Sequence, residues 1–110
     1  MSCCADSDHP GGSGAADETQ TVPNGVNALR QKFQEFLKLA GAPGTLDART
    51  KCAVSIALSV LSKCEPCVRA HVAKARDLGF SQEQIDEAAW MAVAFGGSPT
   101  MMFYVGTKRP

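Results

Sequence analysis

The run "CAVSIALSVL", residues 52–61, is apolar on nearly every side of a helical wheel. Such a segment suits a central helix buried by several neighbours. A buried strand is the rival reading, but the run is long and contains Ala53 and Ala57, so helix is favoured. The chain must therefore supply other elements that surround a central helix.

The flanking segments have the spacing to do so. Val26, Leu29, Phe33, Phe36/Leu37 and Ala40 recur at three- and four-residue steps, and "GAPG" ends that helix. Asp47 is placed to cap the central helix. A third helix opens at the stretch "KCEPCVRAHVAKA" and closes at Gly79. Ser81 and Gln84 make a capping-box pattern before Ile85, Ala88, Ala89, Ala92 and Val93. "FGGSP" breaks this fourth helix, and "TMMFYVG" is read as a short fifth. No repeat and no strand-rich region interrupts the pattern. The expected class is all-α, an antiparallel helical bundle.

Domain organisation follows from composition. Residues 1–24 are rich in Gly, Ser, Asp and Ala and bury too little apolar surface to offset ordering entropy, so they are expected to form a flexible tail. Residues 25–110 are expected to form one domain. Lys plus Arg equal Asp plus Glu at 11 each, so no basic field points to nucleic acid. No apolar stretch reaches the ~18 residues of a membrane span, and "MSCCADSDHP" lacks the cationic and apolar segments of a secretory signal. The expected location is the cytoplasm, where a close cysteine pair is redox-active or metal-binding rather than a structural staple. The cysteine count of 5 is odd, which argues against a fully paired framework.

The chemistry concentrates in Cys64, Cys67 and His71. On a helix these three fall within an arc of roughly 60°, continued by Val68, Val72, Ala75 and Leu78. The bland reading is two small hydrophobes and a satisfied core histidine. The combined pattern favours function. Cys64 lies where free N–H groups favour a thiolate, Pro66 fits the first turn, and Cys67 is close enough to pair with Cys64. His71, four residues beyond Cys67, can accept its proton. Glu65 is expected to point to solvent. Covalent haem attachment fails because "VRA" separates Cys67 from His71. One helix cannot surround a zinc ion, and a thioredoxin fold needs strands that are not there.

With these motifs in hand, the stretch "SIALSVLSKCEPCVRAHVAKARDLGFSQEQIDEAAWMAVAFGGSP" resembles the alkylhydroperoxidase D-like branch of the carboxymuconolactone decarboxylase-like superfamily. The resemblance runs from about Val26 to Tyr104. It implies an all-helical subunit assembling into trimers or hexamers, with a dithiol that reduces hydroperoxides. Cys64 and Cys67 would be the redox pair and His71 part of a proton relay, with no cofactor and no metal. The implied partners are a hydroperoxide substrate and an external dithiol or protein reductant, with no nucleic acid and no membrane. The dithiol argues against lactone decarboxylation.

One position departs from the family pattern. A glutamate twelve residues before the first cysteine, linked to the histidine, is here Cys52. Three readings of Cys52 stand: a packing residue, a third redox thiol, or part of a Cys3-type soft-metal site with His71. The alternative class is thus a non-enzymatic redox sensor or soft-metal-binding oligomer. Cys3 and Cys4 in the tail could exchange with the core dithiol. Trp90 is expected in a core or interface, Met101–Tyr104 in packing or subunit contact, and Lys51, Lys63, Arg69, Lys74 and Arg76 on a solvated face.

Overall fold

The computed structural model describes residues 25–108. The readings placed on residues 1–24, including Cys3 and Cys4, lie outside the described residues. Five helices and no strand occur among the described residues, in the order α1 (Val26–Gly41), α2 (Ala48–Leu61), α3 (Glu65–Asp77), α4 (Gln82–Gly96) and α5 (Ser98–Thr107). The all-α expectation holds. Contacts divide the chain into one unit ending at Leu39 and a second beginning at Ala40.

The first unit holds most of α1. Its apolar residues Leu29, Phe33, Phe36 and Leu37 share a helical stripe, and the Phe33 and Phe36 rings stack with centroids 6.2 Å apart. No residue of α1 is buried.

In the second unit α2 packs against α3, α4 and α5, the central position that its sequence demands. Cys52, Ile56 and Val60 of α2 meet Val68 and Ala75 of α3, Ile85, Ala89 and Ala92 of α4, and Tyr104 of α5. The alanines let the helices approach closely. Burial of α2 is nevertheless not all-round. Val54 and Leu58 stay 47% and 58% exposed, because three neighbours cover only part of its circumference. Trp90, expected in a core or interface, is likewise exposed at 47% on the outer side of α4. Among the described residues no helix is long and apolar enough to cross a membrane.

The helix ends explain the turns. Asp47 accepts from the Thr50 amide at 2.7 Å, and this bond holds its carboxyl below the usual range. Ser81 and Gln84 form the full capping box. After α3, the Gly79 amide bonds the Arg76 carbonyl and the Phe80 amide reaches back to Ala75, with Gly79 at φ 89°. This is the two-bond helix stop in which a left-handed residue satisfies the last carbonyls. Arg49, at the start of α2, donates to the Leu78 carbonyl and lies over the Phe80 ring at 4.3 Å, tying the two helix ends together. Lys51 departs from the solvated face assigned to it. Its ammonium donates to the carbonyls of Ala40 and Ala42 at 2.9 and 2.8 Å, because those carbonyls have no helix left to continue.

Candidate functional site

The turn between α2 and α3 repeats the helix stop just described, with one difference. The Lys63 amide bonds the Val60 carbonyl and the Cys64 amide bonds the Ser59 carbonyl, both at 3.1 Å, but the left-handed residue is Lys63, at φ 57°, not glycine. Backbone bonds thus hold Cys64 at the point where the chain reverses. Cys64 is the N-cap of α3, in extended conformation, and its carbonyl accepts from the Val68 amide. Pro66 occupies the first turn, as its missing donor allows.

Cys64 and Cys67 are joined by a disulfide, with Cα atoms 5.2 Å apart. That separation lies within the ~4.4–6.8 Å that a bridge requires. The non-helical backbone of Cys64 lets its side chain turn toward Cys67 in the first turn of the helix. Both cysteines and His71 are half-buried, while Val68 and Ala75 of the same stripe are buried, so the stripe faces the core as expected but its Cys–His part lies at the core's edge. Neither cysteine is fully buried. His71 follows Cys67 by one turn. Burial holds its imidazole below the ordinary range, and the Lys74 charge pushes the same way. Near neutral pH it is therefore a neutral base. Glu65 points away, paired with Arg69 on the exposed side of α3, as expected.

Cys52 is brought to the same helix but not to the same position. It is buried at 3% exposure and free, and its thiol donates to the backbone carbonyl of His71 at 3.7 Å. Burial pushes the thiol up, with Lys74 and Arg49 only partly opposing. The contact also shows that α2 and α3 run antiparallel, since Cys52 faces His71 while Ser59 meets Cys64. Among the described residues, no three His, Cys, Asp or Glu side chains gather as a metal site.

A second polar cluster went unread in the sequence. Asp86 of α4 accepts from the Tyr104 hydroxyl at 2.6 Å and from the Gln82 amide at 3.0 Å, and pairs with Lys108 at 2.9 Å. Burial and the Asp86 carboxylate together push the Tyr104 phenol well up. No sequence spacing links positions 86 and 104; only the meeting of α4 with α5 does.

Comparison with known proteins bears on this arrangement. The carboxymuconolactone decarboxylase family model matches residues 27–106. Protein 4 of the cox locus of Paracoccus denitrificans is 35% identical over 88 residues, covering 80% of this chain and 77% of that protein. A Cupriavidus necator protein is 32% identical over 76 residues, covering 69% and 67%. A crystal structure from Thermotoga maritima superposes with TM-score 0.67 at 28% identity, covering 72% of this chain and 81% of that one. It is a carboxymuconolactone decarboxylase family protein for which a part in antioxidative response has been suggested. A further member of that family, from Legionella pneumophila in its apo form, superposes with TM-score 0.68 at 29% identity, covering 74% and 73%.

Proposed function

Because the chain belongs to the carboxymuconolactone decarboxylase family, we propose that it is a thiol-dependent oxidoreductase whose Cys64–Cys67 dithiol reduces hydroperoxides. The observation that carries this reading is the half-exposed disulfide at the start of α3 with a neutral histidine one turn beyond it. The antioxidative role suggested for the Thermotoga maritima relative supports the same chemistry.

In the reduced protein His71 takes the Cys67 proton. The Cys67 thiolate then attacks the terminal peroxide oxygen and the O–O bond breaks. The alcohol leaves with the proton that His71 returns, and Cys67 carries a sulfenic acid. Cys64 attacks that sulfur, water leaves, and the disulfide forms. An external dithiol or protein reductant supplies two electrons and two protons to regenerate the pair. The cycle is one hydroperoxide and two thiols giving one alcohol, one water and one disulfide. It requires no cofactor. We place it in a reducing compartment, the cytoplasm, where the reductant is available. Exposed Val54, Leu58, Met91 and Phe95 support assembly into a homo-oligomer, a trimer or hexamer, that covers apolar surface.

The alternative is a redox sensor that cycles the same disulfide without turnover. It is favoured by Cys52 standing where the peroxidase pattern has a carboxylate, since only Lys74 adds a charge effect at His71. Consumption of tert-butyl hydroperoxide with dithiothreitol separates the two. Turnover abolished by Cys67→Ser establishes the peroxidase. A dithiol that oxidises and re-reduces stoichiometrically, with no turnover, establishes the sensor.

A further inference from the structure

On the other flank of α3 lies a cleft of about 520 Å³ that contains neither cysteine. Its lining on α3 runs from Val68 and Val72, which continue the dithiol arc, round to Arg69, Ala73 and Arg76, and includes neither cysteine nor His71, so it is not the pocket in which a peroxide would meet sulfur. The volume falls within the ~300–1,000 Å³ typical of small-molecule sites. Val72 and Ala73 present apolar surface to it, backed by the buried Val68 and Ile85. Arg69, Arg76 and Lys108 bring three cations to the lining, and among the described residues no carboxylate lines it.

The three cations are not equivalent. Arg69 is paired with Glu65, and Lys108 with Asp86, so both charges are already balanced by a carboxylate. Among the described residues Arg76 hydrogen-bonds only the neutral amide oxygen of Gln82, at 2.8 Å. Gln82 is itself held by Asp86, which also fixes Tyr104 and Lys108. Asp86 thus stands behind the lining and orders it. Apolar surface, one guanidinium without a counter-charge among the described residues, and a hydrogen-bonded polar floor describe a receptor for a molecule with an apolar body and one anionic end.

We propose that this cleft binds a small amphiphilic carboxylate, its apolar body against Val72 and Ala73 and its carboxylate on Arg76. The site is independent of the dithiol chemistry and would be occupied in oxidised and reduced protein alike.

Octanoate is the probe, with 1-octanol as the uncharged comparison, titrated into the full-length protein by calorimetry. Saturable octanoate binding is expected, weakened at least about tenfold by Arg76→Gln, since a charge-assisted bond is lost. Ala73→Trp, which fills the cleft from an exposed position on α3, should block binding with the fold intact by circular dichroism. Lys32→Gln, on α1, should leave it unchanged. Absence of saturable binding, equal affinity for octanol, or full affinity in both cleft variants would overturn the proposal. A shift in oligomer mass on Arg76→Glu, with no octanoate binding by the native protein, would also overturn it and assign the cleft to a second copy of the chain.

Discussion

The thiol of Cys52 points at the backbone carbonyl of His71, 3.7 Å away across the α2–α3 contact. It therefore touches the helix that carries the redox pair without presenting an accessible sulfur. With burial pushing its acidity down, Cys52 is suited to packing rather than to exchange. In the reduced protein at pH 8, iodoacetamide should alkylate Cys64 and Cys67 and spare Cys52 until the protein is unfolded. Cys52→Ala should cost about 1–2 kcal/mol as a small cavity opens. A Cys52–Cys64 or Cys52–Cys67 disulfide found by mass spectrometry of oxidised protein would make it a third redox thiol instead.

The lowered pKa of His71 links stability to pH. The folded state holds the imidazole neutral, so below the unfolded value near 6.5 the unfolded chain binds more protons. The His71 contribution is complete above that pH and declines as pH falls toward the folded pKa. Asp47 and Asp86, both lowered, add a separate loss at more acidic pH, below the ordinary carboxylate value of 3.8. Melting temperature should fall from pH 7.5 to 5.5 in the native protein and fall less in His71→Gln. Parallel curves for the two proteins would show that His71 does not carry the effect.

Lys63 and Gly79 occupy equivalent positions in two equivalent helix stops, at φ 57° and 89°. A side chain in the left-handed region costs about 1–2 kcal/mol, offset in part by the greater unfolded-state entropy of glycine. Lys63→Gly should stabilise the protein by about 0.5–1 kcal/mol, and Gly79→Ala should destabilise it by about 1 kcal/mol. Urea unfolding of the two variants provides the check. If Lys63→Gly proves destabilising, the Lys63 side chain makes a contribution that its backbone conformation does not account for.

Gly96 is needed for a different reason. A Cβ there would lie 2.0 Å from Thr100 Oγ1 and 3.0 Å from Leu61 Cδ1, where α2, α4 and α5 converge. Thr100 is fully buried and cannot swing aside into solvent. Gly96→Ala should therefore cost about 1–3 kcal/mol through overpacking. Unchanged thermal stability would mean that α5 can shift freely.

Tyr104 is the one tyrosine of the chain, so absorbance at 295 nm reports it alone. Its titration should lie above the ordinary value of 10, and Asp86→Asn should bring it down by removing the carboxylate beside the hydroxyl. Tyr104→Phe should cost about 1–2 kcal/mol, since the half-buried Asp86 loses a donor. An ordinary titration curve in the native protein would contradict the Tyr104–Asp86 bond.

Much of this architecture is written in local terms. The caps at Asp47 and Ser81, the stop at Gly79 and the break at Gly97 depend on residues within a few positions, so local chemistry reveals them. The same is true of the dithiol, whose members are three residues apart and joined by one turn of backbone. Trp90 shows the limit of such reading. Its size suggests burial, yet which side of α4 is covered depends on where α2 and α5 lie.

The sequence by itself determined the helices, their ends and the placing of Cys64, Cys67 and His71 on one face, because periodicity and capping act over a turn or two. Tertiary structure alone decided that the face lies at the edge of the core and that Cys52 meets the backbone of His71. It alone joined Asp86 to Tyr104 across 18 positions and opened a cationic cleft behind the redox helix. Those relations depend on how far one helix stands from another and at what rotation, which the summed packing of all the side chains sets and no local pattern encodes.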